Sequence, residues 1–309
     1  MDLHLTGKRA LVTGSSSGIG AGIAAELAQE GAFVVVHGRD AGRTEAIARA
    51  IRDGGGTAAV AIGDPSPDGG AAPVAAAALC AFGGIDILVN NAGGRSGGDG
   101  AADWMSASAQ DWADTYQKNT VATLRMIHRL APAMKERGWG RLIQFASSAA
   151  NSPSSAVPHY AASKAAIINL TVGLSKAFAN SGVTANTVSP GMIATPSVDE
   201  WFEQIAAEKG WSGPDAAKQA EGWAMEHIVH QTVSRVGRVR DIATLTAFLC
   251  SPLADFINGA NFRSDGGRSP AINCSFAQEN HRLLSWLSAP LSSDLDQPCH
   301  DFRGHWRPG

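Results

Sequence analysis

Seven short apolar runs, separated by helical patterns, restrict this chain more than any other feature. They are "RALVTG" (9–14), "AFVVVHG" (32–38), "TAAVAIGD" (57–64), "DILVNNAG" (86–93), "GRLIQFASS" (140–148), "GVTANTVSPG" (182–191) and "GANFRSDGG" (259–267). Runs this short and rich in β-branched residues read as buried strands. Between them lie amphipathic stretches such as "GIGAGIAAELAQEG" and "AGRTEAIARAIRDGGG", which close on glycine. Strands joined through helices need crossover connections, which make a parallel sheet covered on both faces. The expectation is one doubly wound α/β domain over 1–267, binding its ligands beyond the carboxyl ends of the strands.

Two stretches fall outside the alternation. Residues 195–234 form a long excursion carrying Trp201, Phe202, Trp211, Trp223 and Met225, read as a lid over the substrate. Its tryptophans either roof a hydrophobic pocket or pack the lid onto the body. Residues 268–309 are read as a poorly ordered extension.

Composition narrows the function classes. A net charge of −3 gives no electrostatic case for nucleic acid or a membrane surface. The basic stretch from Arg235 to Arg240 is short and interrupted, as in a solvated face or an anion-contacting turn. Cys80, Cys250, Cys274 and Cys299 lie far apart without metal-ligand spacing, so no metal site is expected. Cys80 and Cys250 sit in apolar helical patterns and read as small core residues in a reducing, cytoplasmic setting. No apolar stretch approaches membrane-spanning length.

"TGSSSGIG", Thr13 to Gly20, joins the first strand to the first helix. Gly14, Gly18 and Gly20 permit a tight turn and a close approach of backbone amides to phosphate, as in a Rossmann-type fold. Gly14, Ser15, Ser16, Ser17, Gly18, Ile19 and Gly20 are therefore the candidate phosphate cradle, at a helix N-terminus that favours anions. The end of the second strand selects the dinucleotide. An NAD site places a carboxylate there for the ribose 2′-hydroxyl. "VVVHGRD" offers Gly38 and then Arg39, a guanidinium suited to a 2′-phosphate, with His37 and Arg43 adding positive potential. Asp40 is either the missing carboxylate or the cap of the helix that follows. The reading is NADP(H).

Tyr160 and Lys164 in "YAASK" (160–164) stand one helical turn apart and share a face. A free phenol titrates near about 10, and a nearby ammonium favours its ionised form, which suits proton transfer. Ser147 ends the fifth strand, where a hydroxyl can hold a substrate oxygen as charge develops; Ser148 is its rival. Asn119 lies inside a helical pattern, where asparagine is a poor former and needs a reason.

Taken together, "TGSSSGIG", "NNAG" (90–93), Asn119 in "YQKNTVATL", the serine of "IQFASS", "YAASK" and "SPGMIAT" (189–195) resemble the short-chain dehydrogenase/reductase family, in order and spacing, over residues 5–267. The general likeness is to its 3-oxoacyl-(acyl-carrier-protein) reductase-like members. The resemblance implies a catalytic tetrad of Asn119, Ser147, Tyr160 and Lys164, with Tyr160 as proton donor and Ser147 chosen over Ser148 by its count to Tyr160. It gives Lys164 hydrogen bonds to the nicotinamide ribose, and Asn119 a helix kink and a water relay to the lysine. It implies further cofactor contacts: Asp64 at the adenine, Asn91, Ala92 and Gly93 on the adenosine side, Ile193 and Thr195 at the carboxamide, brought there by Pro190 and Gly191. Asn90 and Asp86 read as structural. The family is usually tetrameric or dimeric, so a homo-oligomer acting on a small carbonyl or alcohol is expected. Two alternatives stand beside the NADPH-dependent reductase: an NAD-linked alcohol dehydrogenase and a non-catalytic dinucleotide sensor. The glycine-rich stretch 93–100 is expected to border the site.

Overall fold

The protein was analysed as a computed structural model, in which residues 1–94 and 103–269 are described. Strands β1 (Arg9–Val12), β2 (Phe33–Gly38), β3 (Thr57–Ile62), β4 (Ile87–Asn90), β5 (Gly140–Phe145), β6 (Val183–Pro190) and β7 (Asn261–Ser264) correspond to the seven apolar runs. Helices α1 (Gly18–Gln29), α2 (Ala41–Asp53), α3 (Ala71–Phe82), α4 (Ala109–Tyr116), α5 (Ala122–Glu136), α6 (Pro158–Ala177), α7 (Pro196–Glu208), α8 (Ala216–Ala224) and α9 (Val239–Cys250) separate or follow them. All pairings are parallel, in the order β3-β2-β1-β4-β5-β6-β7. The fold is the Rossmann-type α/β arrangement expected.

Period-two alternation divides the sheet's side chains between two cores. Val12, Val34, Val36, Ile87, Val89 and Ile143 pack with α1, α2 and α9 on one face. Leu11, Val35, Leu88 and Leu142 pack with α3, α5 and α6 on the other. Both faces are covered, so strands such as β1 and β4 read as continuous apolar runs rather than alternating ones.

The order of the strands reverses between β1 and β4, which opens a crevice above their carboxyl ends. The turn after β1 and the loop after β4 meet there. A Cβ on Gly14 (φ +66°) would stand 2.8 Å from the Ala92 Cα, so glycine is required at this crossing. Residues 268 and 269 aside, the expected C-terminal extension lies outside the described residues, as do positions 95–100 of the glycine-rich stretch.

The excursion after β6 has its own core. Phe202, Ile205 and Ala206 of α7 and Ala220 and Ala224 of α8 are buried together, with Trp201, Trp211, Trp223 and Met225 packed around them. The tryptophans pack around the excursion's own cluster and do not line the cavity above the strand ends, so they follow neither sequence reading: they do not roof the pocket, and their packing is within the segment rather than onto the body. Trp223 stacks on His227, centroids 4.8 Å apart, and lies under the Lys209 ammonium.

Candidate active site

The glycine turn is tied to both neighbouring strand ends. Thr13 Oγ1 accepts the amides of Asn91 (3.1 Å) and Ala92 (3.0 Å), while Asn91 Nδ2 donates to the carbonyls of Thr13 and Gly14. A Cβ on Gly20 would stand 2.3 Å from the Gly14 oxygen, so the helix can enter this closely only as glycine. Ser17, Gly18, Ile19 and Gly20 line a cavity of about 310 Å³. Ser15 does not. Its hydroxyl donates to the Val12 carbonyl and accepts the His37 amide, and its own amide is spent on the His37 carbonyl. Ser16 instead lies against Gly38, where an added Cβ would stand 2.7 Å from the Ser16 Cβ.

His37 departs from expectation. It is 2% exposed, and its Nδ1 accepts the Gly14 amide at 3.0 Å. Burial pushes its pKa down to about 4. The ring is neutral and adds no positive potential; it holds the turn against β2 instead. Arg43 is exposed beside Asp40, whose carboxylate accepts the Arg43 amide and caps α2. Asp40 therefore takes the capping role. Arg39 is exposed, 3.8 Å from the Asp64 carboxylate. Partial burial raises the Asp64 pKa, but hydrogen bonds from Ser66 and the charge of Arg39 outweigh it and hold the carboxyl below its usual range.

On the opposite wall stand the reactive candidates. Ser147, Tyr160 and Lys164 line the same cavity as the glycine turn. Ser147 is half-buried and accepts the Ala149 amide, whereas Ser148 is 5% exposed and absent from the lining. The Lys164 ammonium lies 5.9 Å from the centroid of the Tyr160 ring and donates to the Phe145 carbonyl at 2.8 Å. Burial alone lowers its pKa to about 8.

Asn119 occupies a five-residue π-helical segment, Gln117–Val121, between α4 and α5. The π segment widens the backbone turn by one residue where α4 passes into α5. The side chain is 1% exposed; its Oδ1 accepts the Gly94 amide, and its Nδ2 donates to the Gly94 carbonyl and to Ser163 Oγ. Gly93 is needed here, because a Cβ would stand 2.6 Å from Asn119 Oδ1 and 3.2 Å from the Lys164 nitrogen. Ser163 and Thr13 were not singled out from sequence. Ser163 also donates to the Tyr160 carbonyl, and so links the π segment to α6.

The strand-end loop after β6 completes the wall. Pro190, Gly191 and Thr195 line the cavity, and Thr195 Cγ2 would be 3.5 Å from a Cβ on Gly18. Ile193 points into the core, 5% exposed. The bridge to Gly237 uses the Met192 carbonyl and the Ala194 amide, so the Ile193 amide and carbonyl are not consumed in it. Glycines where a Cβ would fill the crevice, neutral donors at a helix N-terminus and a cation across from them make a cradle that fits a dinucleotide.

The family model described as short chain dehydrogenase matches residues 8–206. The chain belongs to that family. As a short-chain dehydrogenase it can be set beside relatives of several activities. It is 32% identical over 265 residues to the 3-oxoacyl-[acyl-carrier-protein] reductase of Vibrio cholerae, covering 86% of this chain and 98% of that one. It is 30% identical over 272 residues to the 7alpha-hydroxysteroid dehydrogenase of Escherichia coli, covering 88% and 98%. Among solved structures, L-sorbose reductase from Gluconobacter frateurii, complexed with NADPH and L-sorbose, superposes with a TM-score of 0.80 at 31% identity, over 88% of this chain and all of that one. Short-chain dehydrogenases similar to this chain thus include ones solved with NADPH and one solved with NADH. The chain is an oxidoreductase of this family that uses a nicotinamide dinucleotide.

Proposed function

We propose that the protein is an NADPH-dependent reductase that converts a ketone or aldehyde to the alcohol. The observation that carries this reading is one cavity lined both by Ser17–Gly20 and by Ser147, Tyr160 and Lys164. When bound, the nicotinamide supplies the hydride. Ser147 holds the carbonyl oxygen through its hydroxyl, and Tyr160 gives that oxygen its proton. Lys164 keeps a positive charge near the phenol and is anchored by the Phe145 carbonyl. Asn119 fixes the π segment and Gly94 beside them. Preference for NADPH is supported by Arg39 at the end of β2 and by Asp40 serving as a helix cap rather than as a ribose ligand.

On the lid side the cavity wall is Thr195, Pro196 and Ser197, while the tryptophans serve the lid's own core. That wall favours a small hydroxylated ketone over a long acyl chain. NADPH absorbance followed with a ketose, an acyl thioester and a steroid ketone tests the reading. The ketose is expected to be reduced fastest, and Tyr160→Phe to lose about 10²-fold or more of the rate. A Tyr160→Phe variant as fast as the parent removes the proton-donor assignment; no turnover with any carbonyl favours the sensor alternative. An NAD-linked dehydrogenase would show NADH and NADPH turnover reversed in preference.

A further inference from the structure

The amino ends of β1, β4 and β5, opposite the crevice, border a second cavity of about 460 Å³. Thr6, Lys8, Arg9, Asp86, Arg137 and Trp139 line it, so three cationic side chains meet one carboxylate. Asp86 is committed to two of them. Arg9 donates to it from Nε at 2.8 Å and from Nη2 at 2.6 Å, and Arg137 Nη2 lies 3.3 Å from its Oδ1. Partial burial raises the Asp86 carboxyl, but the hydrogen bonds and charge of Arg9, with the charge of Arg137, hold it below its usual range. It stays ionised and neutralises one cation.

Lys8 has no carboxylate of its own. Among the described residues its ammonium makes no hydrogen bond or ion pair, and it rests 3.9 Å from the centroid of the Trp139 ring. The same ring receives the Arg141 guanidinium at 4.5 Å. An indole attracts a cation without cancelling its charge. Arg137 spends only Nη2, on Asp86 and the Ile85 carbonyl, which leaves Nη1 and Nε as donors. The carboxyl end of α5, which Arg137 caps, offsets roughly half a charge more. The cavity is left positive, with spare donors from two elements.

We propose that this cavity is an anion site, separate from the dinucleotide crevice, that takes a phosphate group, free or as a small ester. Such a group carries about −1.5 to −2 near neutrality, which matches the excess. Its oxygens accept from the Lys8 ammonium, the free edge of Arg137 and the Thr6 hydroxyl. Trp139 and Asp86 hold the two cations in place before the anion arrives. The site does not depend on which dinucleotide the crevice takes.

The test is calorimetric titration of the protein, its crevice filled with saturating NADPH or, in parallel, NADH, with inorganic phosphate, glycerol 3-phosphate and glycerol. The parent is expected to bind both phosphates and not glycerol, and the tighter of the two identifies the source. Lys8→Gln and Arg137→Gln are each expected to weaken phosphate about tenfold, as for loss of one charge-assisted hydrogen bond. Lys8→Arg, which keeps the charge and guards against a folding defect, is expected to retain it. Lys218→Gln removes an exposed cation on α8 and is expected to change nothing. The site is wrong if the dinucleotide-filled parent takes no phosphate, or if Lys8→Gln and Arg137→Gln bind it as the parent does. It is equally wrong if Lys218→Gln weakens binding as much as they do, since overall charge would then be the cause.

Discussion

Lys164 carries its ammonium where water does not reach: it is 5% exposed, and burial brings its pKa from 10.5 to about 8. The sign follows from the cause. Below about 8 the side chain is charged, and above it the charge is lost. Carbonyl reduction at saturating NADPH is expected to be level near neutrality and to fall as pH rises through about 8; a limb that begins only near 10.5 contradicts the desolvation argument. The same burial is a cost to folding while the unfolded lysine prefers its charge, which holds at neutral pH and is relieved between about 8 and 10.5. Lys164→Met is therefore expected to be inactive yet more resistant to urea at pH 7, by on the order of 2 kcal/mol. Equal or lower stability would mean that its bond to the Phe145 carbonyl outweighs desolvation. Single residues also explain why sequence misjudged His37: its neighbours in the chain look like a cationic patch, but β2 is buried on both faces from Val34 to Gly38, so the ring lies inside, accepting an amide.

The segment after β6 is the element that stands most on its own. Helices α7 and α8 pack chiefly on each other, through Phe202, Ile205, Ala220 and Ala224, while only Thr195, Pro196 and Ser197 face the cavity from this segment. Phe202→Ala removes a ring that is 4% exposed, a change of about 3–5 kcal/mol in a well-packed core. Its effect is expected to be local. Amides of α7 and α8 should exchange with deuterium far faster, while those of β1, β4 and β5 keep their protection. Loss of protection throughout the sheet would show that this segment's core and the main core unfold together. The π segment is the opposite case: its five residues are fastened to the rest through Asn119, with bonds to Gly94 and Ser163.

Across the whole molecule, the two faces of the sheet are sealed by residues far apart in sequence. Arg141 is 1% exposed and donates to the carbonyls of Ser251, Gly140 and Gly182, with its guanidinium 4.5 Å from the Trp139 ring centroid. Next to it Cys250 is fully buried, and burial pushes its thiol up to about 12. Cys80 is exposed. With a thiol-reactive reagent and peptide mapping, Cys80 is expected to be modified in the native protein and Cys250 only at the rate of global unfolding. Rapid native labelling of Cys250 would mean that α9 opens by itself.

The alternation of seven apolar runs with helices determined the parallel sheet, because both its faces must be covered and crossovers must be helical. The glycine turn and the Tyr160–Lys164 spacing were legible for the same reason: each is a local requirement of backbone or helix geometry. What only the tertiary structure decided depends on elements distant in the chain. Asp40 became a cap and His37 a neutral clamp. Ser147 faces the cavity and Ser148 the interior after β5, and the tryptophans of the segment after β6 lie against the cluster that α7 and α8 bury between them rather than along the cavity. Charge and polarity in a residue can be read one letter at a time; what they face is set by how the strands are ordered.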